Sequence, residues 1–204
     1  VKPVKVAIFA SGTGSNAMAL IQKSKTLSQL EISFVLSDKA TAPVLAKAQN
    51  EGVRTYLVEK KQDKATHEAE ILKLLKEHKV DWILLAGYMR LISADFLAKF
   101  ASWHQGKSQI VNIHPSLLPA YPGVDSIARA YNDKVSHTGI TIHFVDEGMD
   151  TGAVIRQEPL AIHAAESLEQ LGARMHQLEH RIYTDFLDSL STGQQSTVYF
   201  EENP

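Results

Sequence analysis

Asn112 and His114 are the side chains of this sequence best suited to act on a carbonyl group. They stand two residues apart in the run Asn-Ile-His-Pro-Ser-Leu-Leu-Pro at 112–119. The apolar pair Ile110-Val111 before them reads as the end of a buried strand, and a period of two points both side chains to one face. Pro115 and Pro119 stiffen the exit by fixing φ and removing N–H donors. A side-chain amide can donate to a developing oxyanion, and an imidazole can donate as well or move a proton. The run His-Phe-Val-Asp-Glu-Gly-Met-Asp-Thr-Gly at 143–152 offers the carboxylate such a histidine needs, and Asp150 is the candidate. The plain alternative is a satisfied buried Asn–His pair, against which the prolines, the strand end and the polar run all weigh. Asp146, Glu147 and Asp150 could also be calcium ligands, but they lack the alternating oxygen register of an EF-hand loop. No metal is expected. His143 shares a strand face with Thr141, where it either packs beneath the site or supports it.

A second signal is Ser11-Gly12-Thr13-Gly14-Ser15-Asn16, between an apolar strand and a helix. Glycines allow a tight turn, and helix-start N–H groups with the positive dipole end favour a phosphate. The Lys-Ser/Thr ending of a Walker loop is missing. The dinucleotide fingerprint would need glycine where Ala17 stands, and only Asp38 sits where a ribose-binding acid belongs. An ordinary turn capped by Ser15 or Asn16 is the simpler alternative. The loop Gly87-Tyr88-Met89-Arg90-Leu91-Ile92 follows a wholly apolar strand, and ligands of open α/β sheets bind beyond such strand ends. Met89, Leu91 and Ile92 then either line a pocket or serve as plain core, and Arg90 either binds an anion or pairs with a surface acid. Glu179-His180, late in the chain, is the least specific pair by spacing.

The elements that must position these residues alternate. Strands are expected at Val4–Phe9, Ile32–Leu36, Thr55–Val58, Trp82–Ala86 and Ile110–Ile113, with helices at about 16–28, 43–49, 67–78 and 94–100 between them. Repeated βα units imply a Rossmann-like, doubly wound, mostly parallel sheet with helices on both faces. The pattern then changes to a short helix at Ser126–Tyr131, strands at Gly139–Val145 and Val154–Ile162, and a long helix at about 168–190. One domain, 1–190, and a polar tail, 191–204, are expected, with Val198-Tyr199-Phe200 able to dock on the body. The chain has 204 residues and no cysteine, which excludes disulfides, thiolate zinc sites and a cysteine nucleophile. A net charge of -2 gives no basic footprint for nucleic acid. The lysines of 60–79 are interleaved with acids, as on a solvated helix face. No stretch approaches the roughly 18 apolar residues that span a bilayer, and the apolar run at Val4–Ala10 is too short for a signal peptide. A cytoplasmic protein, monomer or homodimer, is expected.

Four motifs in one order, Ser-Gly-Thr-Gly-Ser-Asn at 11–16, Ala-Gly-Tyr-Met-Arg-Leu-Ile at 86–92, and the runs at 112–119 and 143–152, closely resemble the phosphoribosylglycinamide formyltransferases. That is a folate-dependent family of purine biosynthesis, and the resemblance runs from about Val4 to Leu190. It implies that Asn112, His114 and Asp150 form the catalytic trio, with His143 and Ser116 supporting it. It implies a ribonucleotide site from Gly12, Thr13, Gly14, Ser15 and Asn16 with Glu179 and His176, the last at a position often filled by Gln in relatives. It implies a folate pocket walled by Met89, Arg90, Leu91 and Ile92 and by Asp146, Glu147, Gly148, Met149 and Asp150. Lys64 stands where many relatives carry an arginine, keeping the charge and losing the bidentate fork. The implied reaction is attack by the amine of glycinamide ribonucleotide on the formyl carbon of 10-formyltetrahydrofolate. Asn112 and a charged His114 would stabilise the oxyanion, and Asp150 would hold that charge and assist proton transfer. The alternative is a formyltetrahydrofolate hydrolase using the same site with water. Its relatives usually carry a domain before the catalytic one, which a first strand at Val4 argues against. A dinucleotide-binding protein without catalysis would leave the trio without a role.

Overall fold

A computed structural model describes residues 2–193. Its strands are β1 (Val4–Phe9), β2 (Leu30–Ser37), β3 (Thr55–Leu57), β4 (Trp82–Leu85), β5 (Ile110–His114), β6 (His137–Phe144) and β7 (Val154–Ala161). The helices are α1 (Ser15–Ser24), α2 (Pro43–Asn50), α3 (Lys64–His78), α4 (Ala94–Ser102), α5 (Ser126–Asn132) and α6 (Leu168–Thr192). The seven strands form one sheet in the order β3-β2-β1-β4-β5-β6-β7. The first five pair in parallel, and β6 and β7 are antiparallel to their neighbours. This is the doubly wound, mostly parallel sheet read from the sequence.

Because both faces of the sheet are covered, its central strands are apolar throughout rather than alternating. One layer packs Val6, Ile8, Leu84 and Val111 against α1, α2 and α6, with Leu171, Met175, Ile182 and Tyr183 of α6 fully buried. The opposite layer packs Ala7, Phe9, Ile83 and Ile110 against α3 and α4 through Ile71, Leu75, Phe96 and Phe100. A fully buried Phe or Leu contributes about 2–3 kcal/mol, several times what an exposed ion pair does. The two layers, not the surface charges, therefore fix the sheet edge on which the site is built.

Element ends differ from expectation for local reasons. α1 starts at Ser15, because Gly14 in the left-handed region is its N-cap and neither Ser15 nor Asn16 caps it. It stops at Ser24, whose hydroxyl donates to the Ile21 carbonyl, and the turn at Thr26 and Leu27 lets β2 begin two residues early. α3 begins at Lys64 rather than His67, because the Asp63 carboxylate accepts the Ala65 and Thr66 N–H groups. α6 opens with a Ser167/Gln170 capping box and runs to Thr192, so residue 190 lies inside its last turn. Val198-Tyr199-Phe200 lie outside the described residues.

Candidate active site

Asn112 and His114 alternate on β5 with Val111 and Ile113, which belong to the α1/α6 layer, and so face the α3/α4 side. Antiparallel β6 brings His143 directly opposite Asn112 and Thr141 opposite His114. Side chains on the same face at such opposed positions meet. The loop from β6 to β7 then carries Asp150 back over this polar face. Its carboxylate lies 3.4 Å from His114 Nδ1, 3.6 Å from His143 Nε2 and 3.5 Å from Asn112 Nδ2. The carboxyl and the imidazole that sequence could only place on separate segments thus meet directly.

The proton inventory is informative. His114 Nε2 lies 2.9 Å from the Tyr121 carbonyl, and Nδ1 faces the carboxylate. Both ring nitrogens therefore look at acceptors, and only the doubly protonated ring satisfies both. His143 Nδ1 lies 2.8 Å from its neighbour's carbonyl at Phe144, which leaves Nε2 toward Asn112 Nδ2 at 3.3 Å. Asp150 also accepts the Gly123 N–H at 2.7 Å. Burial pushes its carboxyl pKa up, but the His143 hydrogen bond, the Gly123 N–H and the charge of His114 and His143 outweigh burial and leave it below the ordinary value. Asp150 is a held anion rather than a ready proton acceptor.

The loop after β5 frames the ring of His114. Leu118-Pro119 is cis. Ser116, fully buried, donates to the Ala120 carbonyl at 2.6 Å, and Thr141 donates to the Ser116 carbonyl at 2.7 Å. Ser116 supports the site as a staple of this loop and not by contact with the trio. Beneath, the buried Tyr183 hydroxyl of α6 donates to Leu85 O at 2.9 Å and lies 3.3 Å from Val111 O. Leu85 pairs with Asn112 across β4 and β5, so α6 pins the strand ends from the opposite face.

The glycine loop has no side-chain cap. Gly14 has φ 77°, and a Cβ there would lie 2.3 Å from Val44 Cγ2, so only glycine fits. The uncapped first turn of α1 is left with free N–H donors, and Lys47 Nζ reaches the Thr13 carbonyl at 2.9 Å. The order of strands reverses between β1 and β4, and Ser11 N donates to Gly87 O across that point at 3.1 Å. The glycine loop and the Gly87–Ile92 loop are therefore neighbours.

Glu179 is buried on α6 and accepts His176 Nδ1–H at 2.8 Å. This hydrogen bond raises the His176 pKa against the opposing effect of burial, and the Glu179 charge adds to it. Among the described residues no hydrogen bond joins this pair to Asn112, His114 or Asp150. Its height is set by helix register. β7 runs in the direction of β1, so α1 and α6 both descend from the same sheet edge. Lys23 of α1 pairs with Asp188 of α6 at 3.2 Å. The same number of residues back along each helix leads from Lys23 to Gly14 and from Asp188 to Glu179, which levels Glu179 with the glycine loop.

Lys64, Arg90, Leu91 and Ile92 line one cleft with Phe9, His67, Glu68, Ile71, Tyr88 and Phe96. Met89 and Leu91 are more than half exposed and only Ile92 is buried, so the first two are not core. Lys64 Nζ stands 4.0 Å from Glu68, whose carboxylate binds both the N–H and the hydroxyl of Ser93. Met149 is more than half exposed beside Gly123, and Glu147 and Gly148 lie on the same loop. Asp146 does not join Asp150; its Oδ1 accepts the Gly148 N–H and the Thr151 hydroxyl within its own loop. Asp38 is not free for a ribose, because Ser11 and Arg90 occupy its carboxylate. Sequence reasoning missed Tyr121, Gly123 and Tyr183, and it saw Ser11 in the glycine-loop motif without its link to Asp38. The first two act through backbone atoms, and the only signal for them was the turn-rich Pro119-Ala120-Tyr121-Pro122-Gly123.

A parallel sheet with an antiparallel end and a cluster of amide, imidazole and carboxylate at its edge defines a class: residues 4–187 match the formyl transferase family, and the chain belongs to it. Within that family, it is 39% identical over 189 residues to a phosphoribosylglycinamide formyltransferase of Bacillus subtilis (strain 168), covering 91% of this chain and 94% of the relative. It is 38% identical to the trifunctional purine biosynthetic protein adenosine-3 of Gallus gallus, covering 93% of this chain and 19% of that longer protein. The crystal structure of glycinamide ribonucleotide transformylase 1 from Geobacillus kaustophilus matches with a TM-score of 0.84 at 43% identity, over 92% of this chain and 98% of that one. A formyltetrahydrofolate deformylase from Pseudomonas syringae shares the fold, with a TM-score of 0.81 at 23% identity, over 95% of this chain and 63% of that one.

Proposed function

We propose that this chain is a phosphoribosylglycinamide formyltransferase of purine biosynthesis, moving the formyl group of 10-formyltetrahydrofolate to the glycinamide amine of 5-phosphoribosylglycinamide. The convergence of Asn112, His114 and Asp150 at one point is the observation that carries this reading. The free amine attacks the formyl carbon and gives a tetrahedral oxyanion. Asn112 Nδ2 is the donor best able to meet it, since its present contacts of 3.3 and 3.5 Å are long and easily exchanged. An oxyanion donor of this kind is worth about 3–4 kcal/mol. His114 supplies positive charge beside the oxyanion, and its Nδ1–H turns to it or to the leaving nitrogen when the 3.4 Å contact opens. Asp150 holds His114 charged, and the amine proton leaves through water in the site. The residues that do this are all side chains, and the reaction needs no metal.

In the same proposal the ribose phosphate lies on Gly12, Thr13, Gly14, Ser15 and Asn16, with Glu179 and His176 level with that loop. The folate lies between Lys64, the Met89–Ile92 loop and the Asp146–Asp150 loop. Residues 1–190 form one catalytic domain, the enzyme works in the cytoplasm, and it is a monomer or a homodimer. Incubation with 10-formyltetrahydrofolate, with and without the ribonucleotide, tests the function. Loss of the formyl group that requires the amine supports the transferase. Loss at the same rate without the amine refutes it in favour of the hydrolase.

A further inference from the structure

Asp38 is the acid that a dinucleotide site would have used for a ribose, and the proposed reaction gives it no task. We propose that Asp38 is a positioning residue that couples the two substrate subsites by tying the glycine loop to the Met89–Ile92 loop. The inference rests on the transferase reading above and adds a link between its two binding loops.

The geometry runs as a relay. Asp38 follows β2, and its side chain is 7% exposed. Ser11 Oγ donates to Asp38 Oδ1 at 2.6 Å and accepts the Met89 N–H at 3.0 Å. Arg90 Nη1 lies 3.9 Å from Asp38 Oδ2. Ser11 N donates to the Gly87 carbonyl, which closes the ring between the ends of β1 and β4. Gly12 and Thr13 of the phosphate loop follow Ser11 directly, and Met89 and Arg90 belong to the folate wall. One buried carboxylate thus reaches both loops, at the point where strand order reverses.

The charge decides how the relay points. An ionised carboxylate only accepts, so the single Ser11 hydroxyl proton must turn to Asp38. That leaves a lone pair of the same oxygen for the Met89 N–H, and an anion for Arg90. An asparagine can present either its oxygen or its NH2 to Ser11, and in the second arrangement the hydroxyl proton turns toward the Met89 N–H and breaks the link. It also leaves Arg90 without a counter-charge. A purely structural acid would lower the affinity of both sites or the stability of the fold without altering how one site senses the other.

The experiment measures that sensing. Calorimetric titration gives the affinity of the whole enzyme for 5-phosphoribosylglycinamide with and without tetrahydrofolate, which carries no formyl group to transfer. In the wild-type enzyme each ligand should tighten the other by the same factor, about fivefold or more, because coupling of binding is reciprocal. In Asp38→Asn and in Ser11→Ala that factor should fall to about one, and the double variant should be no worse than either single one. Ser11→Ala introduces no buried charge and carries the test should Asp38→Asn fail to fold. A wild-type factor of one, or an unchanged factor in the variants, overturns the inference. Absence of ribonucleotide binding or of formyl transfer in the wild type instead refutes the function on which it rests.

Discussion

Replacing Asp150 with Asn tests the heart of the site while leaving its shape alone. Asp150 sits at φ 56°, a left-handed conformation that Asn tolerates better than most residues. The Asn carbonyl can still accept the Gly123 N–H, while its NH2 takes the place of the oxygen that accepts from Asn112, so the substitution removes the charge and that one long contact. The quantity lost is the attraction between Asp150 and the His114 imidazolium at 3.4 Å. With an effective dielectric of about 20 that attraction is about 5 kcal/mol. Water that enters the site offsets part of it, leaving about 3 kcal/mol, the upper range for a hydrogen bond to a charged group. The turnover number should then fall by about two orders of magnitude. Affinity for the ribonucleotide, which in the proposed function is held by the glycine loop and not by Asp150, should change by less than about twofold. A spectrophotometric assay of formyl transfer at saturating ribonucleotide gives the first number, and calorimetry the second. A kcat within about threefold of wild type would falsify the trio as drawn, whatever the binding data show.

Other perturbations separate the remaining parts. Gly14→Ala combines a Cβ 2.3 Å from Val44 Cγ2 with a positive φ, so it should lower stability by about 2–4 kcal/mol and raise the ribonucleotide KM; an unchanged melting temperature contradicts the packing argument. Lys64→Ala removes a half-exposed cation from the cleft proposed for the folate and should raise the KM for the formyl donor about three- to tenfold with kcat within about twofold. An equal loss in kcat would place Lys64 in the chemistry instead. The raised pKa of His176 has a defined sign: its pair with Glu179 stabilises the fold fully below the ordinary histidine value and ceases to do so as pH rises through the raised one. Melting temperatures from about pH 5.5 to 8.5 should therefore fall less steeply for His176→Gln than for the wild type, and parallel curves refute the pairing.

How much of this was legible in the sequence follows from where the signals lie. Apolar runs such as Val4–Phe9 and Trp82–Leu85 announce strands buried on both faces, and the glycine loop announces a turn into a helix. Asn112 and His114 were readable as a pair because two residues of strand keep them on one face. Asp150 could be suspected from its polar, glycine-flanked run, but its distance from His114 depends on β6 pairing antiparallel with β5. Nothing local to residues 137–144 states that partner or that direction. Asp63 as the cap of α3 was legible and missed, because the apolar spacing drew attention to His67. The roles of Tyr121 and Gly123 belong to main-chain atoms, which side-chain identity does not report. Asp38 stands where a dinucleotide site carries its ribose-binding acid, and only the packed structure shows Ser11 and Arg90 already on it.

The hairpin of β6 and β7 has a consequence for how such an enzyme can change. A parallel strand beside β5 would have needed a full helical crossover to return, and its connecting segment would have been built into the framework. Here the return is a surface loop, residues 145–153, slung between β6 and the edge strand β7. The Asp150 carboxylate therefore rides on the part of the chain whose length and wording can be edited at least cost to the framework. Selection can change the length and composition of that loop, while the amide and imidazole stay fixed in the sheet.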